Sequence, residues 1–294
     1  MASTLQKLDK KGLITPPHHV VNGIQYEVIM GSVAYGISND MSDVDVYGFS
    51  IPPKEMVFPH LKGEIPGFGR QIKKFEQYQQ HHIYREDNQK EYDLTIYSIV
   101  KYFQLCMENN PNMIDSLFVP QRCVLYCTRI GDMVREKRKL FLHKGSWHKF
   151  KGYAFSQLRK AKTKNPEGKR IEIIEKYGYD VKFATHIVRL LNEIEQILVE
   201  QDLDLQRNRE QLKSVKYGEW TLGQVDSYFE QKERALEDLY TKSDLRWGPD
   251  EKSIKELLFN CLEEYYGSLD KCAIRDAQVD SLINEIKEVI NRYE

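Results

Sequence analysis

Two short stretches of the chain bring chemically capable residues together: Gly31-Ser32-Val33-Ala34-Tyr35-Gly36 and Ser42-Asp43-Val44-Asp45-Val46-Tyr47-Gly48. Gly31 permits positive φ and close backbone approach, and Ser32 adds a hydroxyl and an N–H. A turn of this kind leading into a helix can hold phosphate oxygens on backbone donors and on the helix dipole. Asp43 and Asp45 alternate with Val44 and Val46. On a strand, that period puts both carboxylates on one face and both valines on the other. Neighbouring like charges repel, and a fold tolerates them most readily with a cation between them; Mg2+ takes oxygen ligands of this type. Taken singly, each stretch also has a plain structural reading, a tight turn and a solvated strand.

The elements that must position these residues follow from periodicity. Residues 24–30 are rich in β-formers and read as a strand running into the Gly-Ser turn. The polar residues 1–20, with Pro16-Pro17, read as an arm or short helix before it, and Pro52-Pro53 ends the strand that carries the two aspartates. Residues 60–70 contain Gly63, Pro66, Gly67 and Gly69 and form a loop. Residues 75–84 and 92–97 predict a hairpin closed by a polar turn at 85–90, its second arm carrying Glu91 and Asp93. From Ser98 the period becomes helical: Ile99, Tyr102, Phe103 and Cys106 make a stripe that stops at Asn109-Asn110-Pro111, and a second short helix covers 113–118. Residues 120–128 add an edge strand.

Beyond about residue 130 amphipathic helices take over. The clearest has Ala184, Ile187, Val188, Leu191, Ile194 and Leu198 on one face and Lys182, His186, Arg189 and Glu193 on another. Others are predicted near 224–242, 251–266 and 276–293. The fold class is therefore α+β: a mixed β-sheet with flanking helices in residues 1–128 and an all-helical domain in 129–294.

Composition narrows the function classes. Lys and Arg number 43 against 44 Asp and Glu, so no global basic charge advertises nucleic acid, and any such surface is local. The segment 144–182 is the local exception, with eleven Lys or Arg against four Asp or Glu, interleaved with Trp147, Phe150, Tyr153 and Phe155. Basic plus aromatic suits a polynucleotide groove, while aromatics at helical spacing also build cores. No apolar run of about 18 residues exists to span a bilayer, and the first residues lack a secretory core, which predicts a cytoplasmic protein without membrane contact. Five scattered cysteines predict free thiols. Cys123 and Cys127 lack a second ligand pair at zinc spacing. Adjacent histidines, His18-His19 and His81-His82, face opposite ways on a strand and so do not jointly bind one metal.

Order and spacing combine the two weak signals. Gly31-Ser32, ten intervening residues, Asp43-x-Asp45 and a third acid on a later strand resemble the nucleotidyltransferase signature of the DNA polymerase beta superfamily. The match resembles its RNA repair pathway branch through Gly-Ser-x-Ala-Tyr-Gly, Ser-Asp-x-Asp-x-x-Gly and Pro-Pro in residues 31–53. It continues, more thinly, through Glu91-Tyr92-Asp93-Leu94, Asn110-Pro111-Asn112 and Lys182-x-x-x-His186-x-x-Arg189.

The resemblance implies two Mg2+ ions, with Mn2+ as substitute, held by catalytic Asp43, Asp45 and Asp93, with Glu91 the rival for the third place. It implies nucleotide binding, ATP among the candidates, by Gly31, Ser32, Tyr35, Lys182, His186 and Arg189. The expected reaction transfers a nucleoside monophosphate from an NTP to a hydroxyl acceptor, an RNA end such as tRNA, releasing pyrophosphate. Two alternatives stand beside it: a nucleotide-sensing or partner-docking module without turnover, and adenylylation of a protein partner. Asn110-Pro111-Asn112 is read as a helix stop and restart. Oligomeric state has no signature in the sequence.

Overall fold

The computed structural model describes residues 2–39, 43–71, 73–85, 90–163, 169–270, 272, 285–290 and 292. The N-terminal arm forms two short helices, α1 (Thr4–Lys10) and α2 (His18–Asn22). Ser3 caps α1 in a reciprocal box with Gln6, and the N–H groups of Thr4 and Leu5 donate to the carboxylate of Glu27. Glu27 belongs to β1 (Ile24–Ile29) and is completely buried. Burial of the charge is answered by these donors, so the arm is fastened to the sheet and not left as a tail.

The chain then runs through α3 (Gly31–Ala34), β2 (Val44–Ser50), α4 (Lys54–Val57), β3 (Gln77–Arg85), β4 (Lys90–Ser98), α5 (Ile99–Met107), α6 (Pro111–Phe118) and β5 (Val124–Cys127). The sheet order is β3-β4-β2-β1-β5, with β2 parallel to β4 and the other pairs antiparallel. The expected hairpin is β3 and β4, and the expected edge strand is β5; the turn at 86–89 lies outside the described residues. Ser98 caps α5 and Asn110 caps α6 with Pro111 in its first turn, which is the stop and restart read from the sequence.

The helical part comprises α7 (Arg129–Glu136), α8 (Ser146–Thr163), α9 (Lys169–Tyr177), α10 (Val181–Glu200), α11 (Arg209–Lys216), α12 (Leu222–Lys242) and α13 (Glu251–Tyr266). Of the helix expected over 276–293, only residues 285–290 and 292 are described, and they are helical. Among the described residues, no helix is long and apolar enough to cross a membrane.

Both faces of the sheet are covered. Val44 and Val46 of β2 and Leu94 and Ile96 of β4 pack with Leu5, Leu8, Ile14 and Val20 from the arm. The opposite face, with Tyr26, Val28 and Phe49, opens into a larger cluster through Tyr102, Phe141, Trp147 and Phe150 to Ile187, Leu191 and Leu236. Sheet and helices thus share one interior, and α10 lies in its middle with fifteen buried residues.

Candidate active site

The acids are positioned by strand register. Asp45 on β2 is the direct partner of Asp93 on the adjacent parallel strand β4, one step along from the Val44 and Tyr92 pair. Asp43 stands exposed just ahead of β2. The buried valines on the other face of β2 hold the strand while the carboxylates point toward the helical half, as the alternation requires. Burial raises the Asp45 carboxyl to about 6, and the negative charges of Asp93 and Asp43 add to it, against the opposing pull of His81 and Lys182. Asp43 and Asp93 thus act on the Asp45 carboxylate, and carboxylate oxygens are the ligand type that Mg2+ takes. Glu91, the rival third acid, instead meets the ring of His82.

The Gly-Ser turn is built against this acid. The N–H of Met30 donates to the backbone carbonyl of Asp45 at 2.7 Å. Gly31 adopts φ +63°, and a Cβ there would lie 2.2 Å from Asp45 Oδ2. Both facts demand glycine. The helix that follows is a single turn of four residues, so its macrodipole is small and the backbone donors of the turn are what it offers an anion. Ser42 lies outside the described residues.

Facing the turn is α10, whose N-terminus is capped by Asp180 accepting from the N–H groups of Lys182 and Phe183. Between them is a cleft of about 370 Å3 whose walls include Gly31, Ser32, Tyr35, Asp43, Asp45, Lys182, His186 and Arg189. Every expected site residue except Asp93 therefore lines one space, and Asp93 adjoins it through Asp45. The cleft size falls within the range of about 300–1,000 Å3 usual for small-molecule sites. Lys182 is exposed. His186 is open to solvent on the cleft side but crowded by protein, which lowers its pKa to about 3, with Arg189, Arg170 and Lys182 reinforcing the effect. Its imidazole is thus neutral at physiological pH and can both donate and accept a hydrogen bond.

Arg189 is buried, although periodicity places it on the polar face with Lys182 and His186 and the resemblance implies that it binds nucleotide. It is 4% exposed and pairs with Asp115 and with both oxygens of Glu193. Its guanidinium lies 4.5 Å from the centre of the Tyr35 ring, and the Tyr35 hydroxyl donates to Asp115 Oδ2 at 2.7 Å. Burial drives the Asp115 and Glu193 carboxyls upward while Arg189 pulls them back. Tyr35 and Arg189 are therefore a braced wall, with the Tyr35 hydroxyl and Arg189 Nη1 engaged inside the protein while Arg189 Nε is buried without a partner.

Three polar cleft residues lie outside the expected set. Lys216, at the end of α11, donates from Nζ to the carbonyl of Ile37 at 2.6 Å, and burial followed by the nearby Lys182 lowers its pKa. Asn39 follows the turn, and Thr185 sits on α10. Thr185 could have been read from the stripe, being three residues from Lys182. Lys216 could not, since it arrives from a separate helix.

A run of aromatic rings leads away from the acids. Tyr47 follows Asp45 on β2, its ring centroid 6.3 Å from that of Tyr97 at 66°. Burial raises the pKa of Tyr47, with Tyr97, Asp45, Asp93 and Tyr153 adding to it, so Tyr153 of α8 belongs to the same neighbourhood. The Tyr153 hydroxyl accepts from Asn110 Nδ2 at 3.1 Å. The basic and aromatic segment divides accordingly: Trp147 and Phe150 are core, while Tyr153 and Phe155 are exposed. All five cysteines are free thiols, as expected.

Among solved structures, the chain is similar to a nucleotidyltransferase-like protein from Exiguobacterium sibiricum 255-15, at 10% identity and a TM-score of 0.29, covering 98% of this chain and 89% of that one. No curated protein sequence matches the chain. Residues 5–247, which contain the acids, the Gly-Ser turn and the facing helices, match the RNA repair pathway DNA polymerase beta family, and the chain belongs to that family of nucleotidyltransferases.

Proposed function

We propose that the chain transfers a nucleoside monophosphate from an NTP to a hydroxyl acceptor with release of pyrophosphate, dependent on Mg2+ or Mn2+. The observation that carries this reading is the direct pairing of Asp45 with Asp93, with Gly31 packed against the Asp45 carboxylate: acids and phosphate-accepting turn form one unit. Asp43, Asp45 and Asp93 would hold two cations. When bound, these neutralise charge growing on the α-phosphate and lower the pKa of the attacking hydroxyl.

The chain's own residues supply the rest. Backbone N–H groups at Gly31 and Ser32, and the Ser32 hydroxyl, take β- and γ-phosphate oxygens. Lys182 and Lys216 add positive charge, and neutral His186 hydrogen-bonds the nucleoside. Tyr35 and Arg189 give the cleft its shape. The acceptor oxygen bonds to the α-phosphorus and its proton passes to Asp93; the bond from phosphorus to the bridging oxygen breaks, with its electron pair leaving on pyrophosphate.

An RNA end, tRNA included, is the favoured acceptor in this proposal. The support is the ring pair Tyr47 and Tyr97 near exposed Tyr153 on the basic helix α8, the combination that single-stranded nucleic acid uses for stacking and phosphate contact. Residues 1–128 would provide the chemistry and 129–294 the substrate surface, in the cytoplasm. The test is incubation with α-labelled NTPs, Mg2+ and an RNA pool. Label should enter RNA with wild type and not with Asp43→Ala/Asp45→Ala. Tight NTP binding without pyrophosphate release would instead make the protein a sensor, and label on protein would make it a protein-modifying enzyme.

A further inference from the structure

The two adjacent histidines expected on opposite strand faces meet neighbouring carboxylates of β4, the ring of His81 at Asp93 and the ring of His82 at Glu91. The pairing of β3 with β4 breaks register between Gln80 and Ile83, and His82 takes φ 55°. That irregularity cancels the alternation of a regular strand. His81 Nδ1 lies 3.2 Å from Asp93 Oδ2. The backbone N–H of His82 donates to Asp93 Oδ1 at 2.9 Å, and its ring Nδ1 meets Glu91 Oε1. The other ring nitrogen of His81 is 2.7 Å from Gln79 Nε2, which fixes that ring beside Asp93.

One ligand atom each from His82, Glu91 and Asp93 lies within 4.8 Å of the other two. We propose that these three side chains form a second divalent-cation site, distinct from the Asp43 and Asp45 pair and selective for ions of the Zn2+ and Co2+ class over Mg2+. The donor set argues for the class. One imidazole and two carboxylates suit a borderline cation in three-ligand coordination, whereas Mg2+ favours oxygen donors and keeps its waters. The His82 side chain is 82% exposed, so water completes the sphere. His81 acts as a positioning residue, holding the Asp93 carboxylate through its second oxygen.

Asp93 is shared with the acid set of the proposed transferase, so a cation here withdraws it from Asp45. That consequence, unlike the site itself, rests on the transferase reading. Occupancy of the histidine site would lower transfer.

The test is a titration of the full chain with Co2+ followed by visible absorption, with Zn2+ and Mg2+ as competitors. Wild type should develop d–d bands that Zn2+ abolishes and excess Mg2+ does not. His82→Ala and Glu91→Gln, both at exposed or half-exposed positions, should each weaken Co2+ binding by at least about tenfold, the loss expected for disturbing a coordination shell. Asp45→Asn should bind Co2+ within about threefold of wild type, as a site that lacks Asp45 requires. Absence of bands in wild type, or equal binding in His82→Ala, would overturn the proposal and leave a hydrogen-bonded cluster. Binding lost in Asp45→Asn but kept in His82→Ala would overturn it in favour of the aspartate pair. None of these readings requires nucleotide transfer, so the site stands or falls apart from the enzyme. Where transfer is measured, saturating Zn2+ should inhibit wild type and spare His82→Ala.

Discussion

Gly31 touches the carboxylate of Asp45 so closely that a methyl group at 31 would sit 2.2 Å from Oδ2, in a backbone conformation of φ +63° that side chains disfavour. Gly31→Ala should therefore act in two ways. Strain at positive φ lowers stability by about 1 kcal/mol or more. Displacement of the Asp45 carboxylate should reduce transfer roughly 100-fold, since an ångström of misplacement is enough for that. Thermal unfolding and turnover measured on one preparation check both, and full activity in a folded Gly31→Ala protein would remove the turn from the site.

Asp45 gives a pH signature. Its carboxyl titrates near 6 in the fold against an ordinary 3.8. Below about pH 3 it is protonated in both folded and unfolded chains and contributes nothing. Above about pH 6 it is ionised in both, and the folded state bears the full burial and repulsion, at most about 3 kcal/mol. Metal-free stability should fall as pH rises through that window. Asp45→Asn should unfold at higher temperature than wild type at pH 7.5, match it near pH 3, and lose the advantage when Mg2+ is added. A constant difference between the two proteins across pH would show that Asp45 does not carry this charge cost.

Arg189 tests the reading of α10. With Asp115 and Glu193 both buried against it, Arg189→Met leaves two carboxyls without their cation, a loss of about 3–5 kcal/mol. The denaturant midpoint should move accordingly. A phosphate ligand would behave otherwise: a raised KM for NTP with the midpoint unchanged.

The two lysines should separate. Lys182 is exposed and its ammonium faces the cleft, so Lys182→Ala should raise KM for NTP by roughly 10–100-fold, the worth of one charged hydrogen bond, without moving the unfolding temperature. Lys216 also braces the chain after the turn through Ile37. Lys216→Ala should combine the KM effect with a measurable loss of stability, read by calorimetry beside the kinetics.

The proposed acceptor surface can be probed without touching nucleotide chemistry. Phe155→Ser, at an exposed position of α8, should weaken binding of single-stranded RNA by about 1–3 kcal/mol if a base stacks there, with KM for NTP unaltered. Tyr153→Phe tests a smaller change, since only the hydroxyl and its bond from Asn110 are lost. RNA binding indifferent to Phe155 would move the acceptor off this helix.

Local order made much of this legible. The alternation of Asp43 to Val46 predicted a strand with acids on one side, and the stripe from Ala184 to Leu198 predicted α10, because periods of two and 3.6 are set by the backbone of an unbroken strand or helix. Asn110 and Pro111 announced their own cap. What stayed hidden depends on distant partners. Arg189 read as a nucleotide-facing residue of the polar stripe, yet Asp115, 74 positions away, draws it inside. Lys216 enters the cleft from a helix with no motif. The approach of His81 and His82 to neighbouring carboxylates of β4 hangs on one broken register, and a single inserted step reverses the face of every residue after it.

The unbroken interior from Tyr26 and Phe49 to Ile187 and Leu236 bears on how such a protein can change over time. A chain whose chemical half and recognition half met across a wet seam could exchange one half for another and acquire a new acceptor at a stroke. Here any replacement helix would have to interlock with residues from the sheet at every layer. On the proposed function, a change of acceptor is therefore expected from substitutions at exposed positions such as 153 and 155, which leave that interior intact.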